Sequence, residues 1–382
     1  MTALTSVELF AGAGGLAQGI ARAGFHPRLV AEWNKNACQS LRDNQARGFG
    51  LVQGWPVRET DVRHIDFQEF KGVDLVSGGP PCQPFSIGGK HASHSDDRNM
   101  FPEAVRAVRE IRPHAFIFEN VKGLTRATFR NYFEYLRLQL QYPELVGQTG
   151  QNWTGHLARL EQHHLSSNRT GLSYRIATEV LQAADYGVPQ KRERVFFVGF
   201  RSDLNINWHF PSPTHSQTQL IKDQVSGHYW ERHGLSRPPV LHSQFRKASA
   251  ARLFGTPLNP WRTVRDAFQS LPDPELEPEN TLPNHRFIAG ARSYPGHTGS
   301  PLDAPSKTLK AGDHGVPGGE NMLVRADGSV RYFSVRESAR LQTFPDDYVF
   351  SGAWGEAMRQ LGNAVPVELA HVLAQSVAVA LR

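Results

Sequence analysis

One cysteine stands in a loop whose composition suits nucleophilic chemistry. Cys82 lies in the run Gly78-Gly79-Pro80-Pro81-Cys82-Gln83-Pro84-Phe85-Ser86, directly after a predicted strand over 73–77. The two glycines and three prolines predict a stiff, specific backbone at the carboxyl end of a strand, where open α/β sheets bind ligands. A thiolate is a strong nucleophile. We therefore interpret Cys82 as a nucleophile, and Cys38 as the small buried hydrophobe that a lone cysteine more often is.

Charged residues adjoin two further predicted strands. Glu119 follows the apolar strand over 115–118, where a buried carboxyl can serve as a proton donor. Arg192 and Arg194 lie just before the strand over 195–200. Alternate residues of a strand share a face, so the two guanidinium groups could point together at an anion or a carbonyl. The alternatives are a solvated or capping glutamate and a solvated, charged strand edge.

A glycine cluster near the N-terminus predicts a ligand site. Residues 12–15 read Gly-Ala-Gly-Gly, between a predicted strand over 6–10 and a helix over 15–23. Glycines there let the backbone approach a ligand and direct helix N–H groups at it. The spacing is not G-x-G-x-x-G, so a dinucleotide with a pyrophosphate is less favoured. The alternative is a simple tight turn.

Polar and aromatic residues after this cluster favour a nucleoside-bearing cofactor. Glu32 lies 20 positions past Gly12, the spacing that places a carboxylate beside ribose hydroxyls. Trp33 could lie against an adenine ring, and Asp61 could accept a hydrogen bond from the adenine amine. The alternative places Glu32 on the surface and Trp33 in the core.

Strands and helices alternate along the first third of the chain, which favours a parallel sheet covered on both faces. Asn34 is a predicted N-cap, Pro102 a predicted first helical residue, and Ser334 with Glu337 a predicted capping box. The predicted strands are 6–10, 28–32, 73–77 and 115–118, and the predicted helices 15–23, 34–47 and 103–111.

The overall composition limits the class of protein. The 382 residues carry a formal net charge of +6, with a pI near 9.4 and a mean hydropathy of −0.44. At roughly 150 residues per domain, the length predicts two to three domains. Two cysteines exclude a disulfide scaffold and a multi-cysteine zinc site, and we expect no metal. We find neither a signal peptide nor an apolar run of about 18 residues, which predicts a cytoplasmic protein outside the membrane.

Taken together, the motifs resemble those of the bacterial-type DNA (cytosine-5)-methyltransferase family, in the family's usual order. PPCQPFS with ENV and QKRER is specific to that family. The blocks are ELFAGAGGL (8–16), AEWN (31–34), DV (61–62), GGPPCQPFS (78–86), DDRNMF (96–101), FENV (118–121), DYGVPQKRER (185–194), SVRESARLQTFPDDY (334–348) and LGNAVPVELA (361–370).

The resemblance implies an α/β fold with two parts. A Rossmann-like, S-adenosylmethionine-dependent methyltransferase domain with a mixed, mostly parallel sheet would comprise residues 1–201, completed by 355–382. A smaller, irregular target-recognition domain would comprise residues 202–354. Residues 141–170 are rich in Gln and His and are interpreted as an insertion.

The resemblance also implies the reaction. Cys82 would add to C6 of a cytosine flipped out of double-stranded DNA, at a cost of a few kcal/mol for unstacking. Glu119 would contact N3 and the exocyclic amine, and Arg192 and Arg194 would support the carbonyl and the geometry of the site. Methyl transfer to C5, loss of the C5 proton and release of Cys82 would complete the cycle.

S-adenosylmethionine would be the methyl donor and S-adenosylhomocysteine the product. Glu32 would bind the ribose, Trp33 and Val62 would flank the adenine, and Asp61 would take its amine. Asn363 would close the site and return the chain to the large domain. The implied cofactor residues are Phe10, Gly12, Gly14, Leu16, Glu32, Trp33, Asp61, Val62, Pro81 and Asn363.

DNA contacts are expected in two segments. Ser86 and Lys90 follow Cys82 in a loop that we predict to close on the flipped nucleotide. Residues 228–262 carry six Arg/Lys against one acid, which suits phosphate and base contacts or, alternatively, a solvated basic loop. The acidic segment 273–279 is expected to face away from DNA. The basic residues assigned to DNA are Arg232, Arg237, Arg246, Lys247 and Arg252.

Two other functions remain open at this point. A tRNA cytosine-5 methyltransferase shares much of the motif set, although the long segment 201–299 favours DNA sequence recognition. A non-catalytic DNA-binding module is the other alternative, and the presence of Cys82, Glu119 and Arg192 argues against it. We expect a monomer that acts with a cognate restriction endonuclease specific for the same site.

Overall fold

The computed structural model describes residues 3–81, 99–168, 170–239, 258–311 and 319–382. The predicted site residues Cys82, Ser86, Lys90, Arg246, Lys247 and Arg252 lie outside these ranges. The chain forms two compact units. The first contains Met1–Leu181, Glu193–Phe210 and Ala370–Arg382, and the second contains Gln182–Arg192 and Pro211–Leu369.

These units divide the chain at other points than the sequence-based domain boundaries. Residues 182–192, which include most of the DYGVPQKRER block, group with the second unit, whereas residues 202–210 group with the first. The chain enters the first unit again at Ala370 rather than at residue 355.

A seven-stranded sheet runs through the described part of the first unit, in the order β3-β2-β1-β4-β5-β7-β6. Strands β1 to β5 are parallel, and β7 runs antiparallel to β5. This mixed, mostly parallel sheet confirms the predicted fold class. Its strands are β1 Leu4–Leu9, β2 Phe25–Glu32, β3 Val57–Glu59, β4 Leu75–Gly78, β5 Ala115–Val121, β6 Tyr174–Gln182 and β7 Glu193–Arg201.

Two helices of the first unit, α2 and α3, begin close to residues that the sequence marks as helix starts. The Asn34 side chain accepts a hydrogen bond from Ala37 N (3.0 Å) and caps α2, and Pro102 lies in the first turn of α3. The N-cap prediction is confirmed, and Pro102 is the second residue of the helix rather than the first. The helices are α1 Gly15–Arg22, α2 Lys35–Ala46, α3 Phe101–Ile111, α4 Arg130–Gln141 and α5 Trp153–Leu165.

Alternation along β1 separates apolar from polar side chains. Val7 and Leu9 lie in a buried cluster with Val76, Phe116 and Phe118 of the neighbouring strands. Side chains of a strand alternate between faces, so the intervening Glu8 lies on the opposite face, where it is 2% exposed. Strand β1 therefore carries a buried carboxyl next to the end of the sheet that holds the site.

The predicted insertion contributes to the hydrophobic core. Leu157 and Leu160 of α5 pack with Leu138 and Tyr142 of the α4 region. Hydrogen bonds reinforce the contact, including one between the Tyr135 hydroxyl and His156 Nδ1 (3.0 Å). The segment is thus at least partly a packed helical addition, which its Gln- and His-rich composition did not indicate.

The second unit contains short elements. Strands β10 Ser300–Pro301, β11 Met322–Val324 and β12 Val330–Tyr332 form one sheet, and β8 His215–Ser216 pairs with β9 Asn259–Pro260. The helices are α6 Gln217–Ser226, α7 His228–Arg232, α8 Val264–Phe268, α9 Val335–Leu341 and α10 Trp354–Asn363, followed by α11 Val367–Leu381, which continues into the first unit. The predicted capping box of Ser334 and Glu337 is present at α9.

The C-terminal helices α10 and α11 form a longer apolar stretch than the sequence analysis identified. Together they span Trp354–Leu381, which is long and apolar enough by length and composition to cross a membrane, although half of the relevant window is buried in the protein. Within the first unit, a Cβ added to Gly19 of α1 would lie 2.4 Å from the Cβ of Ala370 in α11. Helices α1 and α11 therefore pack closely, as core helices do.

Candidate active site

The backbone that leads to Cys82 is held by several different elements. A Cβ on Gly78 would lie 2.6 Å from the Leu9 carbonyl oxygen of β1. The Pro80 carbonyl accepts a hydrogen bond from Asn120 Nδ2 (3.1 Å), and the Pro81 carbonyl accepts one from Met100 N (2.9 Å). Each described residue that precedes the cysteine is thus fixed by packing or hydrogen bonding, as the composition of the segment predicted.

Glu119 and Arg194 form an ion pair beside this segment. Arg194 Nε lies 2.7 Å from Glu119 Oε1, and the two side chains are 14% and 10% exposed. The other carboxylate oxygen, Oε2, would lie 3.1 Å from a Cβ on Gly79. Any side chain at position 79 would therefore press on the carboxylate. The structure thus brings Glu119, Arg194 and the approach to Cys82 together.

Arg192 has different partners. Its side chain is fully buried, and it donates hydrogen bonds to the carbonyls of Leu309 (3.2 Å) and Gly362 (2.8 Å), all within the second unit. β7 begins at Glu193, so Arg192 precedes the strand and the alternation that would align it with Arg194 does not apply. Among the described residues the two guanidinium groups thus have different partners, a carboxylate for Arg194 and backbone carbonyls for Arg192. Asn363 is the exposed last residue of α10, next to Gly362.

Glu32 holds the glycine loop. Its Oε2 accepts a hydrogen bond from Gly12 N (2.7 Å), and its Oε1 accepts bonds from Trp33 N (2.9 Å) and Asn34 N (2.7 Å). The side chain is 7% exposed, so the alternative of a surface charge is wrong. Burial raises the pKa of this carboxyl, and the backbone N–H groups oppose the rise.

The glycine loop leaves space for a ligand. Phe10, Gly12 and Gly14 have φ values of 53°, 55° and 82°, a region that favours glycine. A Cβ on Gly12 would meet no atom within 4 Å among the described residues, whereas one on Gly14 would lie 3.0 Å from Leu41 Cδ2. Gly12 therefore borders open space, and Gly14 permits close packing on α2. Leu16, at 8% exposed, is buried behind the loop.

The residues assigned to the adenine differ in their surroundings. Trp33 is 72% exposed, so the alternative that placed it in the core is wrong. Val62 is buried, and the neighbouring Asp61 carboxylate accepts hydrogen bonds from Arg63 Nε (3.0 Å) and Nη2 (2.6 Å), which lower its pKa. Trp33 thus presents an exposed ring, while the Asp61 carboxylate already pairs with Arg63.

The remaining predicted residues have structural partners. Arg232 pairs with Asp266 (3.0 Å), and Arg237 donates to the Val225 carbonyl (3.0 Å). Cys38 is fully buried, its Sγ lies 3.4 Å from the Glu32 carbonyl oxygen, and burial raises its pKa to about 12. This confirms the interpretation of Cys38 as a core residue.

Sequence reasoning missed one buried group near the site. The Ser77 hydroxyl of β4 donates a hydrogen bond to the Glu8 carboxyl of β1, one residue before Gly78. Burial raises the pKa of Glu8 to about 7, against the opposing effect of the Ser6 and Ser77 hydroxyls. The sequence did contain a signal for this group, because Glu8 is a charged residue inside a strand predicted to be buried.

Comparison with known proteins agrees with this geometry. The sequence matches the C-5 cytosine-specific DNA methylase family over residues 4–142 and 158–378. The chain belongs to the C-5 cytosine-specific DNA methylase family. It is accordingly a DNA cytosine-5 methyltransferase. The unmatched residues 143–157 of this methylase fall within the segment interpreted as an insertion.

Relatives cover the methylase almost completely. The Type II methyltransferase M.PspPI of Psychrobacter sp. (strain TA137) is 32% identical over 377 residues, which are 97% of this chain and 78% of that protein. M.NgoMIV of Neisseria gonorrhoeae is 29% identical over 382 residues, 99% of this chain and 98% of that protein.

Solved structures support the fold of the methylase. A putative DNA modification methyltransferase encoded within an E. coli prophage has a TM-score of 0.59 at 20% identity, with 99% of both chains covered. The Dnmt2 methyltransferase of S. pombe has a TM-score of 0.58 at 16% identity, with 99% of this chain and 98% of that chain covered.

Proposed function

We propose that the protein methylates C5 of a cytosine flipped out of a specific short sequence in double-stranded DNA, through a covalent bond between Cys82 and C6. The observation that carries this proposal is the anchoring of Gly78–Pro81 next to the Glu119–Arg194 ion pair. A nucleophile at position 82 then follows a backbone of fixed geometry, with a carboxylate and a guanidinium beside it. Such pre-positioning accounts for much of the rate gain in enzymes.

The reaction begins with addition of the Cys82 thiolate to C6. The new S–C6 bond moves the electron pair of the C5–C6 double bond to C5, which then bonds to a methyl group. Loss of the C5 proton to a base and breakage of the S–C6 bond restore the aromatic ring and the free thiolate. Cys82 thus ends each cycle unchanged.

Glu119 and Arg194 would control the charge of the base. Glu119 would bind N3 and the exocyclic amine of cytosine, hold a proton at N3 and draw electrons away from C6. Arg194 fixes one carboxylate oxygen at 2.7 Å, which leaves Oε2 directed toward Gly79 as the atom available to the base. Arg192 would act from the second unit as a structural support for Gly362.

The glycine loop fits S-adenosylmethionine, which supplies the methyl group when bound. Gly12 borders open space and bonds to the Glu32 carboxylate, which would accept hydrogen bonds from the ribose hydroxyls there. Trp33 exposes a ring for an adenine. Loop N–H groups would orient the donor, with Phe10, Gly14, Leu16, Val62, Pro81 and Asn363 as further contacts.

The biological setting belongs to the same proposal. The relatives are named Type II methyltransferases, which favours a role in restriction–modification beside an endonuclease that cuts the same site. We infer a monomer that acts in the cytoplasm on chromosomal DNA, with Ser86, Lys90 and basic residues of 228–252 among its DNA contacts.

Transfer of labelled methyl groups from S-adenosylmethionine to unmethylated duplex DNA, followed by bisulfite sequencing, tests this function. We expect label in DNA and protected cytosines at one short motif. Label in tRNA but not in DNA would favour the RNA methyltransferase, and DNA binding without label in either would favour a non-catalytic module. Either result would overturn the proposal.

A further inference from the structure

Arginines of the second unit differ in whether they have internal partners. Arg265 pairs with Asp303 (2.6 Å), Arg325 with Asp273 (3.1 Å) and Arg340 with Asp346 (2.7 Å). Arg286 and Arg292 are exposed, and neither has a hydrogen bond or ion pair with any residue that the structure describes. Their charges are therefore available to an external partner.

These two arginines lie in a stretch without acidic residues. From residue 281 to residue 302 the chain contains no Asp or Glu. Of the acids that precede it, Asp273 and Glu275 both bind Arg325, whereas Glu277 and Glu279 are exposed. Within residues 286–297, which we call the turn segment, Arg286 and Arg292 therefore carry positive charge without an ion pair to any described residue.

A tight turn displays an aromatic ring in the turn segment. Backbone hydrogen bonds join Tyr294 N to His297 O (3.3 Å) and His297 N to Tyr294 O (2.8 Å). Pro295 followed by Gly296 at φ 84° fits a type II turn. The rings of Tyr294 and His297 lie 4.3 Å apart, and Tyr294 remains 49% exposed. Its ring is therefore presented with little conformational freedom.

Both ends of the turn segment are anchored. On one side, the fully buried His285 bonds through Nδ1 to Ser334 Oγ (2.8 Å) and through Nε2 to the Pro272 carbonyl (2.8 Å). On the other, β10 pairs with β11. Because the segment is already anchored at both ends, binding a partner here costs less conformational entropy than binding through a disordered tail would.

We propose that the turn segment is a DNA contact of this enzyme, in which Arg286 and Arg292 bind phosphates and Tyr294 packs against the adjacent sugar or base edge. The inference rests on the proposed function, because the polyanion it invokes is the substrate. Duplex DNA fits because positive charge and an amphipathic ring are presented together. A protein partner would pack against the ring, but it would not require two arginines that lack internal ion pairs.

Binding measured against salt concentration tests this assignment. The probe is a fluorescently labelled duplex that the wild-type protein methylates, with S-adenosylhomocysteine present, and the readout is fluorescence anisotropy. Each phosphate contact contributes about 0.9 to the slope of log K against log salt. We expect Arg286→Ala and Arg292→Ala each to reduce that slope by about 1, and Tyr294→Ala to weaken binding about tenfold without changing the slope.

Arg359→Ala is the matched control, because Arg359 pairs with Glu356 in α10 and its loss changes net charge equally. Thermal unfolding confirms that each variant is folded. If the arginine variants keep the wild-type slope while the wild type methylates the probe, the inference is wrong and the proposed function stands. If the wild type methylates no DNA, the proposed function fails, and this inference fails with it.

Discussion

At the scale of single residues, Glu119 is held by its ion pair with Arg194 and lies close to Gly79. Glu119→Gln keeps the shape of the side chain but removes its charge and its capacity to hold a proton on the base. Because such positioned proton donors contribute about 10²–10⁴-fold, we expect kcat for methyl transfer to fall by about that factor. Cofactor affinity, measured by calorimetry, should stay unchanged.

Glu193→Gln is the control for this variant, since Glu193 is next to Arg194 in sequence but pairs with the exposed Lys122. We expect nearly wild-type transfer. Equal losses of activity in both variants would contradict a specific role for Glu119.

The raised pKa of Glu8 predicts that the stability of the protein depends on pH. Its pKa is raised from 4.5 to about 7 in the folded protein, so the folded state binds the proton more tightly than the unfolded state. The resulting stabilisation is complete below pH 4.5 and is lost as the pH rises through 7. At 1.36 kcal/mol per pKa unit, the loss is at most about 3 kcal/mol.

Glu8→Gln should therefore remove a decline in unfolding free energy between pH 4.5 and 7, measured by denaturant titration at several pH values. Glu179→Gln, at an exposed position of β6, should leave the decline in place. A decline that persists unchanged in Glu8→Gln would show that other groups cause it.

At the scale of elements, the contact between α1 and α11 depends on the absence of a side chain at Gly19. An added methyl group would lie 2.4 Å from Ala370 Cβ and 2.6 Å from His371 N. Overpacking of this kind costs about 1–3 kcal/mol. We expect Gly19→Ala to lower the unfolding free energy by that amount in a denaturant titration.

Gly50→Ala serves as the comparison, because a Cβ there would meet no described atom within 4 Å. It should change stability by less than about 0.5 kcal/mol. Equal effects of the two substitutions would contradict the close approach of α1 and α11.

Elements with local signals were predictable from the sequence, and contacts between distant segments were not. Asn34, Pro102 and Ser334 mark helix starts through their own side chains, so spacing alone revealed them. The partners of Arg192 were not predictable, because they are carbonyls more than 100 residues away in the sequence. Composition identified 141–170 as an insertion but did not reveal that its leucines complete a cluster with α4.

At the scale of the whole molecule, the chain passes between its two units several times, and DYGVPQKRER is divided between them. Arg194 thereby pairs with Glu119 in the first unit, while Arg192 binds carbonyls in the second. The motif was recognisable as one sequence block, but the different partners of its two arginines depend on the point where β7 begins. The net charge of +6 is mildly basic and does not locate the contacts with DNA.

Trapping of the covalent bond tests the central claim most directly. Duplex DNA in which 5-fluorocytosine replaces cytosine cannot lose a proton from C5 after methyl transfer, so the Cys82 sulfur cannot leave C6. We expect a denaturant-resistant protein–DNA complex that requires S-adenosylmethionine, forms with wild type and Cys38→Ala, and maps by peptide mass to Cys82. A complex that still forms with Cys82→Ala, or none with an active wild type, would contradict the account.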